Sequence, residues 1–284
     1  MIDCFHSVGL PRRTILEAID MVAATGYSAI ELNAETLPWT PAHVTPQTPP
    51  QDRRDIAENC RRHGLSIPAI GAHIEMVSAD PGERSAAVAY VNGCTDLAVD
   101  VGSPIIHILS GPQPTAGTAA EVWRWFADAV VATTEHASNR GVVLAIEAIA
   151  GHLFHCVDDY HRLAKDLVGV PFRINFDPSH LEVQGENPRR IVDELGDRIV
   201  NVHLKDGKGL YPDFTFPPLG QGTIDFDELV RGLRDAGYKG ALSVEYEAQV
   251  YGFDESENTI LRNGAIFLDR LGAQRGRGSI RLPQ

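Results

Sequence analysis

Eight short apolar runs, each followed by a longer stretch of helical spacing, constrain this chain more than any other feature. The runs lie at 2–6, 29–32, 66–72, 105–109, 142–147, 172–176, 199–204 and 241–245. Between them the periodicity is helical: over 14–24, Ile15, Ile19, Val22 and Ala23 mark one face. Gly26-Tyr27, His63-Gly64-Leu65, Gly102-Ser103-Pro104, Arg140-Gly141 and Ala236-Gly237-Tyr238 close helices and lead into strands, with glycine and proline as the expected punctuation. Eight such alternations predict a single (β/α)8 TIM barrel over 1–271, and 284 residues suit one. The competitor is a doubly wound open sheet. No Gly-x-Gly-x-x-Gly follows the first run, which weakens a dinucleotide-binding reading. A proline-rich loop at 38–50 and a long loop at 207–222 would lie at the C-terminal face of a barrel, where binding loops belong. The segment 272–284 has three arginines and few apolar residues and is expected to be a flexible tail.

Composition narrows the function. The net charge is −13, with acids spread along the chain, which repels phosphate backbones and argues against a nucleic-acid partner. No stretch approaches the roughly 18 apolar residues of a membrane span, so no membrane partner is expected. Cys4, Cys60, Cys94 and Cys156 form no Cys-x-x-Cys pair and read as reduced thiols of a cytosolic protein. With no basic or long apolar leader at the N-terminus, the expectation is a cytoplasmic protein.

Four of the later runs end in, or are directly followed by, a residue able to bind a metal: Glu147, Asp177, His203 and Glu245. Three carboxylates and one histidine make a hard, oxygen-rich set. Mn²⁺ fits it best, or Mg²⁺, with Co²⁺ or Zn²⁺ as further choices. A divalent ion can hold neighbouring oxygens of a hydroxyketone and stabilise an enediolate. Glu147 and Glu245, on the fifth and eighth strands, would flank a bound sugar, one removing a proton and the other returning it. Each residue also has a plainer reading. A glutamate can cap a helix or pair with a base, Asp177-Pro178-Ser179 can be a turn or helix cap, and His203 can be a hydrogen-bonded core histidine. The plainer readings would have to hold at four successive strand ends together.

The motifs Ile146-Glu147, Asn175-Phe176-Asp177-Pro178-Ser179-His180, Val202-His203-Leu204-Lys205-Asp206-Gly207, Leu219-Gly220-Gln221-Gly222 and Gly237-Tyr238-Lys239-Gly240 leading to Val244-Glu245 carry a family likeness. The pattern resembles the xylose isomerase-like barrel superfamily of sugar isomerases and epimerases, which also holds inosose isomerases and dehydratases and endonuclease IV. The resemblance is sharpest over 142–250. It implies that Glu147, Asp177, His203 and Glu245 bind one divalent ion, that the two glutamates are the catalytic acid/base pair, and that His180 contacts substrate. Lys205 is either a substrate contact or a solvated loop lysine. Glu247 rivals Glu245, since both point to the same side of a strand. Family members often form dimers or tetramers, so a homo-oligomer is compatible.

The chain also departs from the pattern. His73 and His107 fall near extra zinc histidines of endonuclease IV, but Phe214-Thr215-Phe216-Pro217-Pro218-Leu219 offers no ligand where that enzyme needs an Asp-x-His. These aromatics and prolines look like the wall of a small-molecule pocket. His6, His73 and His107 are therefore candidates for substrate hydrogen bonds, or core histidines. His152 is the nearest counterpart of an acidic residue that ketose 3-epimerases carry after the first metal glutamate. The implied function is a divalent-metal-dependent isomerase or epimerase of a ketose, inosose or related hydroxyketone, with a small carbohydrate substrate and no phosphate loop. A metal-dependent lyase on the same scaffold is the alternative, and an endonuclease IV-like repair enzyme is a more distant one.

Overall fold

The computed structural model describes residues 1–272. The eight expected runs form the strands β1 (Ile2–His6), β2 (Ala29–Asn33), β3 (Ile70–Gly71), β4 (Ile105–Ile108), β5 (Val143–Ile146), β6 (Arg173–Phe176), β7 (Ile199–Leu204) and, after a hairpin of β8 (Lys208–Leu210) and β9 (Asp213–Thr215), β10 (Ala241–Val244). They close into a parallel barrel in the order β1-β10-β7-β6-β5-β4-β3-β2. The seam is set on one side by Ile2 opposite Ala241 and on the other by Cys4 opposite Ala29. Outside lie α1 (Ile15–Thr25), α2 (Pro50–His63), α3 (Pro81–Val101), α4 (Ala119–Asn139), α5 (Val157–Asp166), α6 (Pro178–Glu182), α7 (Arg189–Leu195), α8 (Phe226–Asp235) and α9 (Glu257–Arg270).

Local chemistry explains the helix boundaries. Thr14 and Glu17 form a capping box that starts α1, and Gly26, at φ 91°, ends it. A cap of this kind is worth about 1 kcal/mol. α2 and α3 both begin with proline, whose missing N–H is no loss at that position.

Two expectations needed correction. The third run, 66–72, pairs as a ladder only at Ile70–Gly71, with an isolated bridge from Ser66 to Ala29. Pro68 lies between them and has no N–H to donate. The loop at 207–222 holds the β8–β9 hairpin, whose three-residue strands are too short for a periodicity argument. Gly209 makes the close approach of the two strands feasible: its φ is +90°, and a Cβ there would lie 2.6 Å from the Asp213 carbonyl oxygen. From residue 273 onward, the tail expected over 272–284 lies outside the described residues. No helix among the described residues is long and apolar enough to cross a membrane. All four cysteines are free thiols, with Cys4, Cys60 and Cys94 buried.

The side-chain alternation of a strand sorts the barrel into two cores. Outward residues such as Ile30, Leu32, Ile70, Ile106, Ile108, Ile174, Phe176, Val202 and Leu204 join the large apolar core under the helices. Each such side chain contributes about 1.5–3 kcal/mol by burial. Alternate residues stand opposite one another across the ladders: Cys4 and Ser243, His6 and Glu31, His107 and Ala145, Asn175 and Asn201, Ser243 and His203. This second set is small or polar. Asn201 donates across the barrel to Glu31 and, at 2.8 Å, to Asn175 Oδ1, which identifies the set as the lumen. Cys4, Ala29 and Ala241 form a separate small apolar cluster. Buried polar groups in a lumen are stabilised by bonding to one another, as Glu31, His107, Asn175 and Asn201 do.

Candidate metal centre and active site

Each residue expected at a strand end extends the lumen face by one more step of two. Asn201, His203 and Lys205 follow one another on β7 and just beyond it, Asn175 and Asp177 on and beyond β6, and Ser243 and Glu245 on and beyond β10. Glu147 follows Ala145 in the same way. Its N–H continues the ladder to the Ile108 carbonyl, as Glu245 N–H does to Leu204. One atom from each of Glu147, Asp177, His203 and Glu245 lies within 4.8 Å of the others, and all four residues are buried.

Their partners leave ligand atoms free. His203 Nε2 lies 3.0 Å from Glu31 Oε1, while its Nδ1 faces Glu245 Oε2 at 3.2 Å and Glu147 Oε2 at 3.7 Å. That Nδ1 is buried and makes no hydrogen bond. Asp177 Oδ1 caps α6 by accepting from Ser179 N–H. Its Oδ2 makes no hydrogen bond, although Lys205 Nζ is 3.0 Å away. Two orphaned buried atoms aimed into a set of three carboxylates and one imidazole fit a divalent cation. The residues present therefore suit the metal that the donor set implies.

The electrostatics agree. Burial alone would push Glu147 and Glu245 up, but His203 and other nearby cationic groups hold both well below the usual carboxylate range. Asp177 is different. Burial pushes it up to about 7 against the pull of Lys205, and the neighbouring glutamates add to the rise. Burial opposes the charge on Lys205, yet Asp177, Glu245 and Glu247 raise its ammonium well above the usual value. Three close buried carboxylates call for a cation.

The surrounding candidates are all brought to this cluster. His6 Nδ1 lies 3.1 Å from Glu245 Oε1. His180 Nε2 is 3.7 Å from Asp177 Oδ2 and 3.3 Å from Lys205 Nζ. Lys205 is buried rather than solvated and donates to Glu245 Oε2 at 2.7 Å and Glu247 Oε2 at 3.0 Å. Glu245 stands in the four-residue group, and Glu247 does not, although its Oε2 lies 3.0 Å from the ammonium. His73 reaches Glu147 at 3.3 Å, Glu35 at 3.3 Å and His107 at 2.8 Å. His107 is fully buried, with Nε2 on Glu31 at 2.5 Å and Nδ1 on His73, so both ring nitrogens are engaged inside the protein. The stretch 214–219 places Phe216 beside His180 and Lys205 and supplies no ligand.

Several neighbours of the cluster were not singled out as site residues from the sequence. Glu31, on β2, accepts from His203, His107 and Asn201 and thereby fixes which face of His203 is free. Burial would raise it, but His203, His6 and His107 pull it well below the usual carboxylate range. Asn175 donates to Glu147 Oε2 at 2.6 Å. Asp206 accepts from the N–H groups of Gly207, Gly220 and Gly222 and ties down both ends of the 207–222 loop. A Cβ at Gly222 would overlap that carboxylate, so only glycine fits there.

Fold and cluster together define a closed (β/α)8 barrel with a candidate metal centre at the C-terminal ends of its strands. The chain belongs to the xylose isomerase-like TIM barrel family, whose profile matches residues 19–271. Among curated relatives, it is 26% identical over 187 residues to L-ribulose-5-phosphate 3-epimerase UlaE of Shigella flexneri serotype 5b, covering 64% of this chain and 65% of that protein. It is 27% identical over 144 residues to an inosose dehydratase of Clostridium beijerinckii, covering 45% of this chain and 48% of that enzyme. The chain thus spans less than two thirds of the length of these two relatives. Among solved structures it resembles a zinc-bound IOLI protein with a TM-score of 0.78, at 17% identity over 96% of this chain and 98% of that one.

Proposed function

We propose that this protein is a divalent-metal-dependent isomerase or epimerase of a ketose, inosose or related hydroxyketone. The observation that carries the reading is the placement of Glu147 and Glu245. They follow β5 and β10, which are separated by β6 and β7 around the closed barrel, and both face His203 and Asp177 between them. Glu147, Asp177, His203 and Glu245 would hold the ion, Mn²⁺ fitting the donor set best. When bound, such an ion supplies Lewis-acid polarisation of a carbonyl and stabilises charge developing on its oxygen.

The chain's own groups provide the proton chemistry. Asn175 fixes Oε2 of Glu147, leaving Oε1 to take the proton from the carbon beside the carbonyl. The C–H electrons form the C=C bond of an enediolate, and the former carbonyl oxygen takes the charge. Glu245, oriented by His6 at Oε1, returns to the opposite face a proton passed to it by the Lys205 ammonium 2.7 Å away, and the proton held on Glu147 then goes to solvent as Lys205 is reprotonated. Lys205 and His180, buried at the Asp177 edge, are placed to hold substrate oxygens. The epimerase and dehydratase names of the curated relatives support sugar chemistry of this kind.

A second reading is a lyase, favoured by the buried ammonium of Lys205 at 2.7 Å from Glu245. There the glutamate takes the proton, the C=C bond forms, and the β-hydroxyl leaves as water with a proton from Lys205. One experiment separates the two. Mn²⁺-loaded protein is incubated in D₂O with ketoses and inososes and followed by NMR and mass spectrometry. Deuterium beside the carbonyl at unchanged composition supports the isomerase, and loss of one water supports the lyase. The absence of both exchange and loss of water with every ketone in the panel refutes both.

A further inference from the structure

We propose a second divalent-cation site, suited to Zn²⁺, formed by His155, Cys156 and Asp159 where the loop after β5 enters α5. It lies outside the catalytic cluster and is independent of the proton-transfer reading. One ligand atom from each of the three residues lies within 4.8 Å of the other two. Together they offer an imidazole, a thiol and a carboxylate. Among the described residues, no other group of this kind contains a cysteine.

The distances match a small tetrahedral ion. With Zn–S about 2.3 Å and Zn–N or Zn–O about 2.0–2.1 Å, ligand atoms around a tetrahedral Zn²⁺ stand about 3.3–3.5 Å apart. Cys156 Sγ lies 3.3 Å from Asp159 Oδ2, and His155 Nδ1 lies 3.5 Å from the same oxygen. Two edges of the coordination shell are thus in place without an ion. The third closes by rotation of the His155 ring, whose side chain is 43% exposed. Its Nδ1 faces the Leu153 carbonyl at 3.3 Å, and a shift of the ring proton to Nε2 frees Nδ1 as a ligand. Water takes the fourth position.

The backbone holds these donors. Cys156 is the N-cap of α5, and Asp159 completes its first turn. Asp159 Oδ2 accepts from His155 N–H at 2.9 Å and from Cys156 N–H at 3.2 Å, outer hydrogen bonds of the kind that fix a ligating carboxylate. Glu186 Oε2 accepts from Val157 N–H at 3.3 Å. This helix end therefore presents carboxylates rather than bare N–H groups, which removes the usual obstacle to a cation there. Gln184 Nε2 donates to the His155 carbonyl at 2.8 Å and ties the loop to the turn after α6. Burial, with Asp159 and Glu186 nearby, pushes the thiol up to about 12. A divalent ion offsets those same carboxylates, and the sulfur–metal bond forms as the S–H proton leaves to solvent.

Ligand softness separates the two sites. The catalytic cluster has three carboxylates, one imidazole and no sulfur, which suits Mn²⁺, whereas a thiolate favours Zn²⁺ or Cd²⁺. Cys156 is also the accessible cysteine, since the other three are buried.

The test titrates Mn²⁺-loaded protein with Cd²⁺, whose bond to a thiolate gives an ultraviolet charge-transfer band. Cd²⁺ entering the sulfur-free catalytic cluster gives none. Wild type should show a band that saturates and that Zn²⁺ removes by competition. Cys156→Ser should lack the band. His155→Ala should weaken Cd²⁺ binding by more than roughly 10-fold, the least that loss of even an outer partner of a ligand costs. Circular dichroism confirms that both variants fold. Absence of the band in wild type overturns the proposal. So does a band that survives in Cys156→Ser, an unchanged affinity in His155→Ala, or failure of Zn²⁺ to displace Cd²⁺.

Discussion

Replacing Glu31 with glutamine should weaken metal binding although Glu31 is not among the four candidate ligands. The carboxylate accepts from His107 Nε2 at 2.5 Å, His203 Nε2 at 3.0 Å and Asn201 Nδ2 at 3.2 Å. An amide of the same shape offers one acceptor oxygen and an NH₂ group, so it faces at least one of these donors with a donor of its own. The carboxylate also keeps the His203 proton on Nε2 and the Nδ1 lone pair toward the cluster. With the amide, His203 can carry its proton on Nδ1, where it blocks a ligand. Losing such an outer partner weakens metal affinity by about 10- to 100-fold, or about 1.4–2.8 kcal/mol. The assay is a Mn²⁺ titration by electron paramagnetic resonance, with circular dichroism confirming the fold. A dissociation constant within twofold of wild type would refute the orienting role of Glu31.

Other perturbations have equally definite outcomes. Glu147→Gln keeps the shape of the site but removes the base, so deuterium exchange on the cognate ketone should fall by about 10²- to 10⁴-fold; NMR exchange rates measure it. Saturating Mn²⁺ at about 100 times its dissociation constant should stabilise the fold by about 2.7 kcal/mol, and chelation should reverse the resulting rise in Tm in a calorimetric scan. Asp206→Ala removes the acceptor for Gly207, Gly220 and Gly222 N–H. It should loosen the 207–222 loop and lower unfolding free energy by about 2–3 kcal/mol, with faster amide exchange confined to that loop. Thr14→Ala should cost about 1 kcal/mol through loss of the α1 cap, measured by urea denaturation, with no change in metal affinity.

The barrel was legible because its signal is repeated. Strands such as Ile105–Ile108 and Ile199–Leu204 are apolar on the helix side and end where the lumen face begins to carry function. The four-residue cluster was legible for the same reason, since Glu147, Asp177, His203 and Glu245 sit at or just past the ends of apolar runs, where a residue-by-residue scan can see them. Glu31 was not, because it lies inside an apolar run, and its partners His107 and His203 are 76 and 172 residues away. Only closure of the barrel brings them together. Asn175 and Asn201 were read as parts of runs, and their bonds to Glu147 and Glu31 are likewise products of closure. The hairpin escaped notice because three residues cannot display a period, and the break in the third strand followed from a single proline at 68.

The most direct measurement compares isotope exchange with epimer formation in Glu147→Gln and Glu245→Gln, each loaded with Mn²⁺ and supplied with the ketone that exchanges in wild type. With two bases on opposite faces, each variant loses epimer formation, and at least one still exchanges the proton on the face of its remaining glutamate. Epimer formation at the wild-type rate in either variant would contradict proton transfer between Glu147 and Glu245.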